Sequence, residues 1–526
     1  MRNKIKHYTF GIITLLCVTI SSCDKGFEEV NKSVDFVSAP NLDYMLPNIE
    51  LTMLDHTYYT NGDFLAPMVM HVTNRKAYSA IIIPGGYHGY HFEWIYENPL
   101  RSVVDLIYRT KDDPSKINYN SIGRIIKVYL FHRLTDTYGD VPYFDGGKGY
   151  IDRVFTPKYD PQQVIYADLF KELEEATAAL DNSKTLPPLS DIVYKGDLAK
   201  WKKFSNSLML RLGLRIMKVD PANGKKWIDK AIAGGIMTSN DDNFVVKYLP
   251  NSSTGGTTNP TSNGQAHIFV RYPDNYRLTS QFVNILKDKS DPRITVFSML
   301  AGSRTAYVPG SKVPASQKGW PAFGDRAEEA PYASIPSADR VKYSVSNNTT
   351  FGRYDAPFVH LSYAQTQFQL AECVVRNIIT GSTTAKTYYE KGVVAAMDQL
   401  KIYGTEGVLT ASQASNYLIQ NPYNPANDED ALNLINTQYW IETHYNWYET
   451  FANMRRSGYP KLYESLVRAE RPAGDTGPYQ PGNLGAVMPR RLTYHPEEVA
   501  TNPKLQEALT RQGPDLTTTR VWWDKP

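Results

Sequence analysis

The stretch around Asp220-Pro221 separates two amphipathic helical patterns and constrains the fold more than any other part of the chain. In the longer pattern, which begins at residue 197 and runs up to this turn, apolar side chains recur every three or four positions, which places them on one face of a helix. That face carries Trp201, Phe204, Leu208, Leu212 and Ile216. Proline is favoured at the start of a helix and glycine just after its end, so a second, shorter helix is predicted from Pro221 to Gly234-Gly235. Two helices joined by so tight a turn form an αα-hairpin.

A second pair of helical patterns repeats this arrangement at residues 361–381 and 382–404. Ala371, Gly392 and Ala395 are small residues that would let the two helices approach closely. Helix pairs of this size resemble tetratricopeptide repeats, although the spacing between the two copies is irregular. The sequence therefore predicts a mainly α fold built on helix pairs.

Two further helices are predicted from their end signals and apolar faces. One opens with Asp160 as N-cap, Pro161 at the first helical position and Gln163 as the capping-box partner. The other, residues 427–460, is predicted to be one long helix. One of its faces carries Trp440, His444, Trp447 and Phe451. We interpret this stripe as core rather than as a binding surface.

The helical patterns cover about 119–235 and 359–470 and leave two other kinds of segment. Before about residue 118 the sequence is aromatic and its periodicity is irregular. The insert at about 236–358 is rich in proline, glycine and aromatic residues, with only short pieces that favour an extended chain. We expect this insert to present a loop-rich surface on the helical scaffold.

The first 23 residues have the three parts of a bacterial lipoprotein export signal. Three basic residues precede an apolar run that is too short for a bilayer, which needs about 20 residues. The small residues before Cys23 resemble a lipobox, in which the cysteine is diacylated and becomes the first residue of the mature protein. The alternative is a plain signal peptide that happens to contain Cys23. The predicted organisation is a signal at 1–22, a lipidated tether at 23–38 and a single body at 39–526.

Charge and cysteine content narrow the possible roles. The chain has 57 basic and 54 acidic residues, and three of the basic ones lie in the signal, so the mature chain is formally neutral. Because no basic run occurs, nucleic-acid binding is not expected. Of three cysteines only Cys373 remains beyond the signal and the lipidated position, so no disulfide is predicted. The 37 tyrosines suit either a wet, ligand-gripping surface or a tyrosine-rich core.

Recognisable catalytic motifs are missing from the sequence: it contains no HExxH, CxxC, GxSxG or Walker-type motif. His88 and His91 beside Glu93 could be read as a metal pair, but an aromatic contact loop is favoured, since no third ligand follows. Glu442 and Glu449 are the best candidates for the two carboxylates of a glycoside hydrolase, and this is the weaker hypothesis. We predict no catalytic residue, no metal and no cofactor.

Several segments together resemble the SusD/RagB-like outer-membrane lipoproteins of Bacteroidetes nutrient-uptake systems. The most specific is "TDTYGDVPYFDGG" at residues 135–147, which lies within the longer match at 124–147. The other matching segments follow in family order at residues 20–23, 201–216, 361–373, 447–460 and 489–503. These segments span nearly the whole chain, so the sequence is identified as a member of this family.

The resemblance implies a SusD-like fold, with a tetratricopeptide-like scaffold, an irregular loop-rich ligand face and a few short strands. It also implies a non-enzymatic role at the cell surface. Such a protein acts as a lid on a SusC-like TonB-dependent transporter, binds a nutrient glycan and delivers it inward. The alternatives are the same role with oligopeptide cargo and, less favoured, a lipid-anchored glycan hydrolase.

The family places ligand-contacting aromatics in the loop ahead of the YGDVP segment and in the mid-chain insert. By that analogy of region, the residues expected to contact ligand are Tyr87, His88, Tyr90, Trp94, Arg304, Tyr307 and Trp320. The alternative for each is an aromatic or polar residue that packs its own loop. The YGDVP segment itself is interpreted as a structural corner, in which Gly139 ends a helix, Pro142 prevents its continuation and Asp140 caps the turn.

Overall fold

Helices form most of the protein, and the predicted mainly α fold class is confirmed. The computed structural model describes residues 40–54, 59–74, 88–250, 261–271, 275–302, 309–320, 337–463 and 488–526. The longer helices in these residues are α1 Leu42–Thr52, α2 Tyr90–Ile95, α3 Arg101–Thr110, α4 Ile117–Tyr138, α5 Gln162–Ala179, α6 Leu198–Ile216, α7 Pro221–Gly234, α8 Ser280–Asp288, α9 Tyr363–Val375, α10 Ala385–Asp398, α11 Ala411–Gln420, α12 Asp428–Glu442, α13 Trp447–Ser457, α14 Pro496–Thr501 and α15 Leu505–Gln512. Single helical turns occur at Ala66–Met68, Gly149–Asp152, His267–Arg271 and Ile294–Phe297.

Both predicted helix pairs are present. In the first pair the Asp220 side chain accepts a hydrogen bond from the backbone N–H of Asn223 and caps α7. α6 packs closely on α7, because a Cβ atom added at Gly213 would lie 3.1 Å from the carbonyl oxygen of Gly224. In the second pair a Cβ atom at Gly392 would lie 2.6 Å from the ring of Phe368. Glycine is therefore required at both helix contacts.

Strands are short and form three antiparallel two-stranded pairs within the described residues. They are β1 Val72–Asn74, β2 Phe244–Val246, β3 Tyr276–Leu278, β4 Ser298–Leu300, β5 Ser344–Ser346 and β6 Phe358–Leu361. β1 pairs with β3, β2 with β6 and β4 with β5. Most of these strands lie in or beside the insert, where short extended pieces were expected. The insert also contains α8, a helix that its sequence did not indicate.

The prediction of one long helix at 427–460 is wrong. The chain forms α12 and α13, with a turn at 443–446 between them. Tyr445 has a φ of 79°, a left-handed conformation that a continuous right-handed helix cannot contain. The side chain of Asn446 donates to the carbonyl oxygens of Val359 and His360, both at 3.2 Å, and ties the turn to β6. The interpretation of the aromatic stripe as core is confirmed, because all four of its side chains are buried.

The expectation of irregular structure before residue 118 is also wrong. α1, α2 and α3 all lie in this region, and a π-helical turn at Tyr96–Leu100 joins the last two. Pro47 lies inside α1 and Pro99 inside the π turn, so the helix-breaking residues hid the periodicity. Burial explains why these helices form: Val103, Val104 and Leu106 of α3 pack into the main core.

Two aspartates stabilise the YGDVP corner. Asp140 caps the helix that begins after Asp160, and Asp160 binds the backbone of the turn that follows Asp140. α4 ends at Tyr138, and Gly139 follows with a φ of 90°. Asp140 Oδ1 accepts a hydrogen bond of 2.9 Å from the N–H of Gln162, the first residue of α5. Asp160, predicted to cap α5, instead accepts from the N–H groups of Tyr143 and Phe144 at 3.0 and 2.9 Å. Asp160 as the cap of its own helix is therefore wrong, and Asp140 caps the start of α5 rather than, as expected, its own turn.

Leu42–Pro526 pack as one compact unit around a large core. Of the remaining unit, Met1–Asn41, the structure describes only residues 40 and 41. The predicted boundaries of the signal, the tether and the single body therefore stay predictions. Cys373 is a buried free thiol in α9.

Candidate functional site

A cleft of about 290 Å³ opens where the corner meets α2 and the C-terminal part of the chain. This volume is near the lower end of the roughly 300–1,000 Å³ typical of ligand pockets. Its walls come from three segments far apart in sequence: α2 with its π turn, the loop after the corner, and the start of α14. The lining residues are Phe92, Glu93, Tyr96, Glu97, Pro142, Asp145, Gly146, Gly147, Gly149, Val154, Pro157, His495, Glu497, Glu498 and Thr501.

Aromatic packing and one partly buried hydrogen bond hold the inner wall of the cleft in place. The Tyr96 hydroxyl donates to the carbonyl oxygen of Pro142 at 2.6 Å, which joins the π turn to the corner. Phe92 packs against Tyr96, with ring centroids 4.7 Å apart. A Cβ atom at Gly146 would lie 2.3 Å from the same Pro142 oxygen, so only glycine fits there. The wall therefore joins Phe92 and Tyr96 to Pro142 and Gly146 of the segment that most specifically identifies the sequence.

The cleft is strongly acidic. Five carboxylates line it, and none of its lining residues is a lysine or an arginine. The lining residue His495 lies beside one of them, with its Nε2 3.5 Å from Glu93 Oε2. Burial raises the pKa of Glu93, and the nearby charges of Glu97 and Glu497 raise it further, while His495 acts in the opposite direction. Such an arrangement favours hydrogen-bond donors and cations as ligands.

Two exposed aromatic residues follow cleft-lining residues in the sequence. Tyr150 is 76% exposed and Phe155 is 80% exposed, which is unusual for rings of this size. Tyr150 follows the lining residue Gly149, and Phe155 follows the lining residue Val154. A Cβ atom at Gly149 would lie 4.0 Å from Phe155 Cδ1, so the Phe155 ring lies against the cleft rim. Exposed rings beside a polar cleft provide a stacking surface for a flat apolar ligand face.

A second surface groove, of about 590 Å³, lies between residues 238–241 and α10. Its charges are largely paired: Asp398 binds Lys401 at 3.0 Å and also accepts a hydrogen bond from Asn240. Val394 is its most exposed large hydrophobic side chain, and the groove offers no exposed ring at its rim. The acidic cleft is therefore the better candidate site.

The sequence-predicted ligand residues that the structure describes lie near the cleft or inside the protein. His88 is buried, with Nδ1 3.0 Å from the Thr493 hydroxyl and its ring edge-on to Phe64. Trp94 is half-buried and donates from Nε1 to the carbonyl oxygen of Thr52 at 3.2 Å. Neither His88 nor Trp94 offers a free stacking surface.

Two further residues complete this set. Tyr90 is half-buried, and its ring centroid lies 5.9 Å from that of the cleft residue His495. Trp320 is 3% exposed and packs edge-on against Tyr343, far along the chain from the cleft segments. Tyr87, Arg304, Tyr307 and the lipid-attachment residue Cys23 lie outside the described residues. The ligand-contact role of all seven residues, and the lipidation of Cys23, stay predictions.

Sequence reasoning missed the residues that form the cleft. Glu93 and Glu497 are some 400 positions apart, and no periodic pattern connects them. Tyr150 and Phe155 follow the corner directly in "GYIDRVF". The sequence feature that could have indicated them is a pair of large aromatic residues in a glycine-rich loop. The corner itself is a structural element, but it also forms one wall of the candidate site.

The two glutamates considered for glycoside hydrolysis are both buried. Glu442 accepts hydrogen bonds from Ser362 and Gln399 at 2.7 and 2.8 Å. Glu449 binds Arg215 at 2.7 Å and accepts from the Tyr439 hydroxyl at 2.8 Å. Both carboxylates therefore have structural partners, and neither lines the cleft.

His88 and His91, considered as a metal pair, are both buried, and His91 stacks on Tyr448 at 3.9 Å. Across the described parts of the chain, no group of three or more His, Cys, Asp and Glu residues is arranged to hold a metal ion.

The helix-pair scaffold and the loop-lined, aromatic-rimmed cleft define a ligand-binding protein built on helices. Residues 37–494 match the model of a family described as SusD-like_2, starch-binding associating with outer membrane. The chain therefore belongs to the SusD-like family, and the resemblance found in the sequence is confirmed. Members of this family are binding proteins associated with the outer membrane of Bacteroidetes.

Solved structures agree with this assignment. A chitin-binding protein is 29% identical, with a TM-score of 0.76 over 92% of this chain and 100% of its own. The structure named Bacteroidetes AC2a SusD-like is 25% identical, with a TM-score of 0.77 over 93% of this chain and 100% of its own. A chitin-binding SusD homolog from Flavobacterium johnsoniae is 23% identical, with a TM-score of 0.72 over 92% of this chain and 98% of its own, and supports the fold alone.

Curated protein sequences contain no match to this chain. In the part of the chain that the structure describes, no helix combines the length and the apolar character needed to cross a membrane.

Proposed function

We propose that this protein binds a nutrient glycan at the acidic cleft and delivers it to a SusC-like TonB-dependent transporter in the outer membrane. The observation that carries the proposal is the cleft of a SusD-like scaffold with the exposed ring of Phe155 at its rim and the exposed Tyr150 directly after the lining residue Gly149. The role is non-enzymatic: the cleft residues hold the ligand and perform no chemical step.

The chemistry of the cleft suits a sugar. The C–H face of a pyranose ring is flat and apolar and stacks on an aromatic ring, while its hydroxyl groups donate hydrogen bonds. An ionised carboxylate accepts hydrogen bonds and donates none, so the cleft carboxylates match those hydroxyl donors. One solved structure similar to this chain, 29% identical, is named as a chitin-binding protein, which supports a glycan as the ligand class.

Removing the two exposed rings should weaken glycan binding without unfolding the protein. We expect the double variant Tyr150→Ala/Phe155→Ala to bind oligosaccharides about tenfold more weakly or worse, a loss of ~1.4 kcal/mol or more. Isothermal titration calorimetry against neutral and amino-sugar oligosaccharides, with oligopeptides as a second panel, measures this effect.

Tyr44→Ala is the matched control, because Tyr44 is also 76% exposed but does not line the cleft. If the double variant and the wild type bind an oligosaccharide with equal affinity, the cleft is not the glycan-binding site. If the protein binds oligopeptides and no oligosaccharide, its ligand is an oligopeptide and not a glycan.

A lipid anchor would hold the protein beside its transporter. Diacylation of Cys23 and the polar segment at 24–35 would confine the binding body near the membrane, where a short flexible tether gives an effective concentration of roughly mM. Such a concentration allows a lid to reopen and close many times without losing its partner.

Replacing Cys23 with alanine should release the protein from the membrane while the body still folds. We expect Cys23→Ala to lose incorporation of labelled fatty acid and to appear in the soluble fraction, with the melting temperature of the purified body unchanged. Persistent lipid labelling of the variant would contradict the anchor. The Cys373→Ala variant serves as the control, because that thiol is buried in α9.

A further inference from the structure

The loop after the corner packs closely against α3 before it reaches the two exposed rings. Gly147 has a φ of 75°, and a Cβ atom added there would lie 3.1 Å from Val104 Cγ2 and 3.4 Å from the carbonyl oxygen of Leu100. A larger residue at this position would push the loop away from the helix, so glycine is favoured. This close approach places the helical turn that follows, Gly149–Asp152, beside α3.

The two rings leave this turn in different surroundings. Arg153 has a φ of 56°, and this left-handed residue reverses the chain. The reversal brings Phe155 back to Gly149, where an added Cβ atom would lie 4.0 Å from Phe155 Cδ1. Because Gly149 and Val154 line the cleft, the Phe155 ring lies at the cleft rim. Tyr150 instead contacts a residue of α3 that does not line the cleft.

That residue is Arg109, whose guanidinium group holds the hydroxyl end of Tyr150. Arg109 Nε donates to Asp105 Oδ2 at 2.8 Å, four positions earlier on the same helix face. This hydrogen bond is the main reason why the pKa of Arg109 is raised, and a hydrogen bond with the Tyr150 hydroxyl raises that pKa further. Tyr150 is nevertheless 76% exposed. Its ring is therefore an open surface that is fixed at its polar end.

An exposed ring beside a guanidinium group matches one sugar residue. The C–H face of the sugar stacks on the ring, and the planar N–H donors of arginine bind adjacent hydroxyl oxygens. The Arg109 side chain is 30% exposed, so a ligand can reach it. Asp105 balances the charge of Arg109, which favours a neutral sugar over a charged one.

We infer that Tyr150 and Arg109 form a second sugar subsite on α3, and that the ligand is an oligosaccharide long enough to reach it from the cleft. This inference rests on the proposed glycan-binding function and specifies the length and charge of the ligand. One sugar residue binds in the cleft, with Phe155 at the rim. A further, neutral residue of the same chain stacks on Tyr150, and Arg109 donates to its hydroxyl oxygens.

The test compares two lengths of one neutral glycan, the disaccharide and the hexasaccharide of N-acetylglucosamine, by calorimetry on the full mature chain. The disaccharide is measured by its displacement of the hexasaccharide. We expect the hexasaccharide to bind about tenfold more tightly, because only the longer chain reaches both subsites. Tyr150→Ala should remove this tenfold gain and leave the affinity for the disaccharide unchanged. Phe155→Ala should weaken the binding of both lengths.

A second variant, Arg109→Lys, tests the guanidinium group without removing its charge. Lysine keeps the ion pair with Asp105 but lacks the planar fork of donors, so the affinity for the hexasaccharide should fall about threefold. Tyr108→Ala is the matched control. Tyr108 is an exposed ring on the same helix, but Lys111 Nζ covers it at 4.4 Å from the ring centroid, so both affinities should stay unchanged. The melting temperatures should also stay unchanged, because all these side chains are exposed.

The outcomes distinguish this inference from the proposed function. If no oligosaccharide binds, the proposed function fails. If the hexasaccharide binds and either Tyr150→Ala or Arg109→Lys leaves its affinity unchanged, only this inference is overturned. It is also overturned if Tyr150→Ala weakens the disaccharide and the hexasaccharide by the same factor, because Tyr150 then acts at the cleft rim together with Phe155.

Discussion

The Glu449→Gln variant is expected to lose about 3–5 kcal/mol of unfolding free energy, a large share of the total stability of a protein. Glu449 is buried and binds Arg215 at 2.7 Å and Arg211 at 3.6 Å. Burial alone would raise the pKa of Glu449, but Arg211 and Arg215 outweigh it and hold the pKa below its usual value. Glutamine keeps the shape of the side chain and removes the charge, so two buried guanidinium groups lose their shared partner.

Denaturation in urea, followed by circular dichroism, measures the loss. The matched control is Asp229→Asn, which breaks the exposed pair with Lys225 at 2.9 Å and should cost roughly 0.5 kcal/mol or less. A loss below about 1 kcal/mol for Glu449→Gln would show that the buried ion pair contributes little. Folded Glu449→Gln protein should bind glycan with unchanged affinity, because this carboxylate lies outside the cleft.

Acid should destabilise the protein strongly below about pH 6.5, because several histidines are buried in neutral form. Burial lowers the pKa of His88 to about 4 and that of His444 to about 3. Their unfolded-state pKa is near 6.5, so between pH 6.5 and the folded values the unfolded chain binds more protons than the folded one. Stability is therefore complete above that window and falls as the pH decreases through it. Each of these two histidines should cost about 2 kcal/mol at pH 5 relative to pH 7.

The His444→Phe variant isolates this effect. The His444 ring stacks on Phe282 with centroids 4.4 Å apart, and neither ring nitrogen has a hydrogen-bond partner in the described residues. Phenylalanine keeps the ring and cannot be protonated, so the difference in unfolding free energy between pH 7 and pH 5 should shrink by about 2 kcal/mol. An unchanged pH dependence would mean that His444 is already protonated in the folded protein.

The elements that were predictable from sequence share one property: their pattern is local. The pair of α6 and α7 is marked by Asp220-Pro221 at the turn and by an uninterrupted apolar face, so the turn, the end of α7 and the buried side of α6 were all predicted. The core stripe from Trp440 to Phe451 was predicted for the same reason. Local patterns identify a helix wherever propensity and burial agree.

The errors arose where tertiary contacts override local pattern. The break between α12 and α13 depends on Asn446 binding backbone carbonyls of β6, some 86 residues away. The cap of α5 comes from Asp140 rather than from Asp160, because the corner folds back on the helix start. The N-terminal helices contain prolines that interrupt their periodicity.

The candidate site was the least predictable part. Its carboxylates come from α2, the corner loop and α14, and only folding brings these segments together. The family resemblance pointed to the loop ahead of the corner, and α2 in that loop does form one wall. However, the residue types expected there were aromatic, whereas five carboxylates line the described cleft, and the exposed rings Tyr150 and Phe155 lie in the segment after the corner.

The most direct test of the central claim, that the cleft beside the YGDVP corner holds the glycan, is a crystal structure of the protein with a bound oligosaccharide. The account predicts a sugar ring within about 4 Å of the Phe155 or Tyr150 ring. It also predicts at least one hydrogen bond from that sugar to Glu93 or Glu497. An oligosaccharide bound on another face, for example in the insert near Trp320, with the cleft empty, would contradict it.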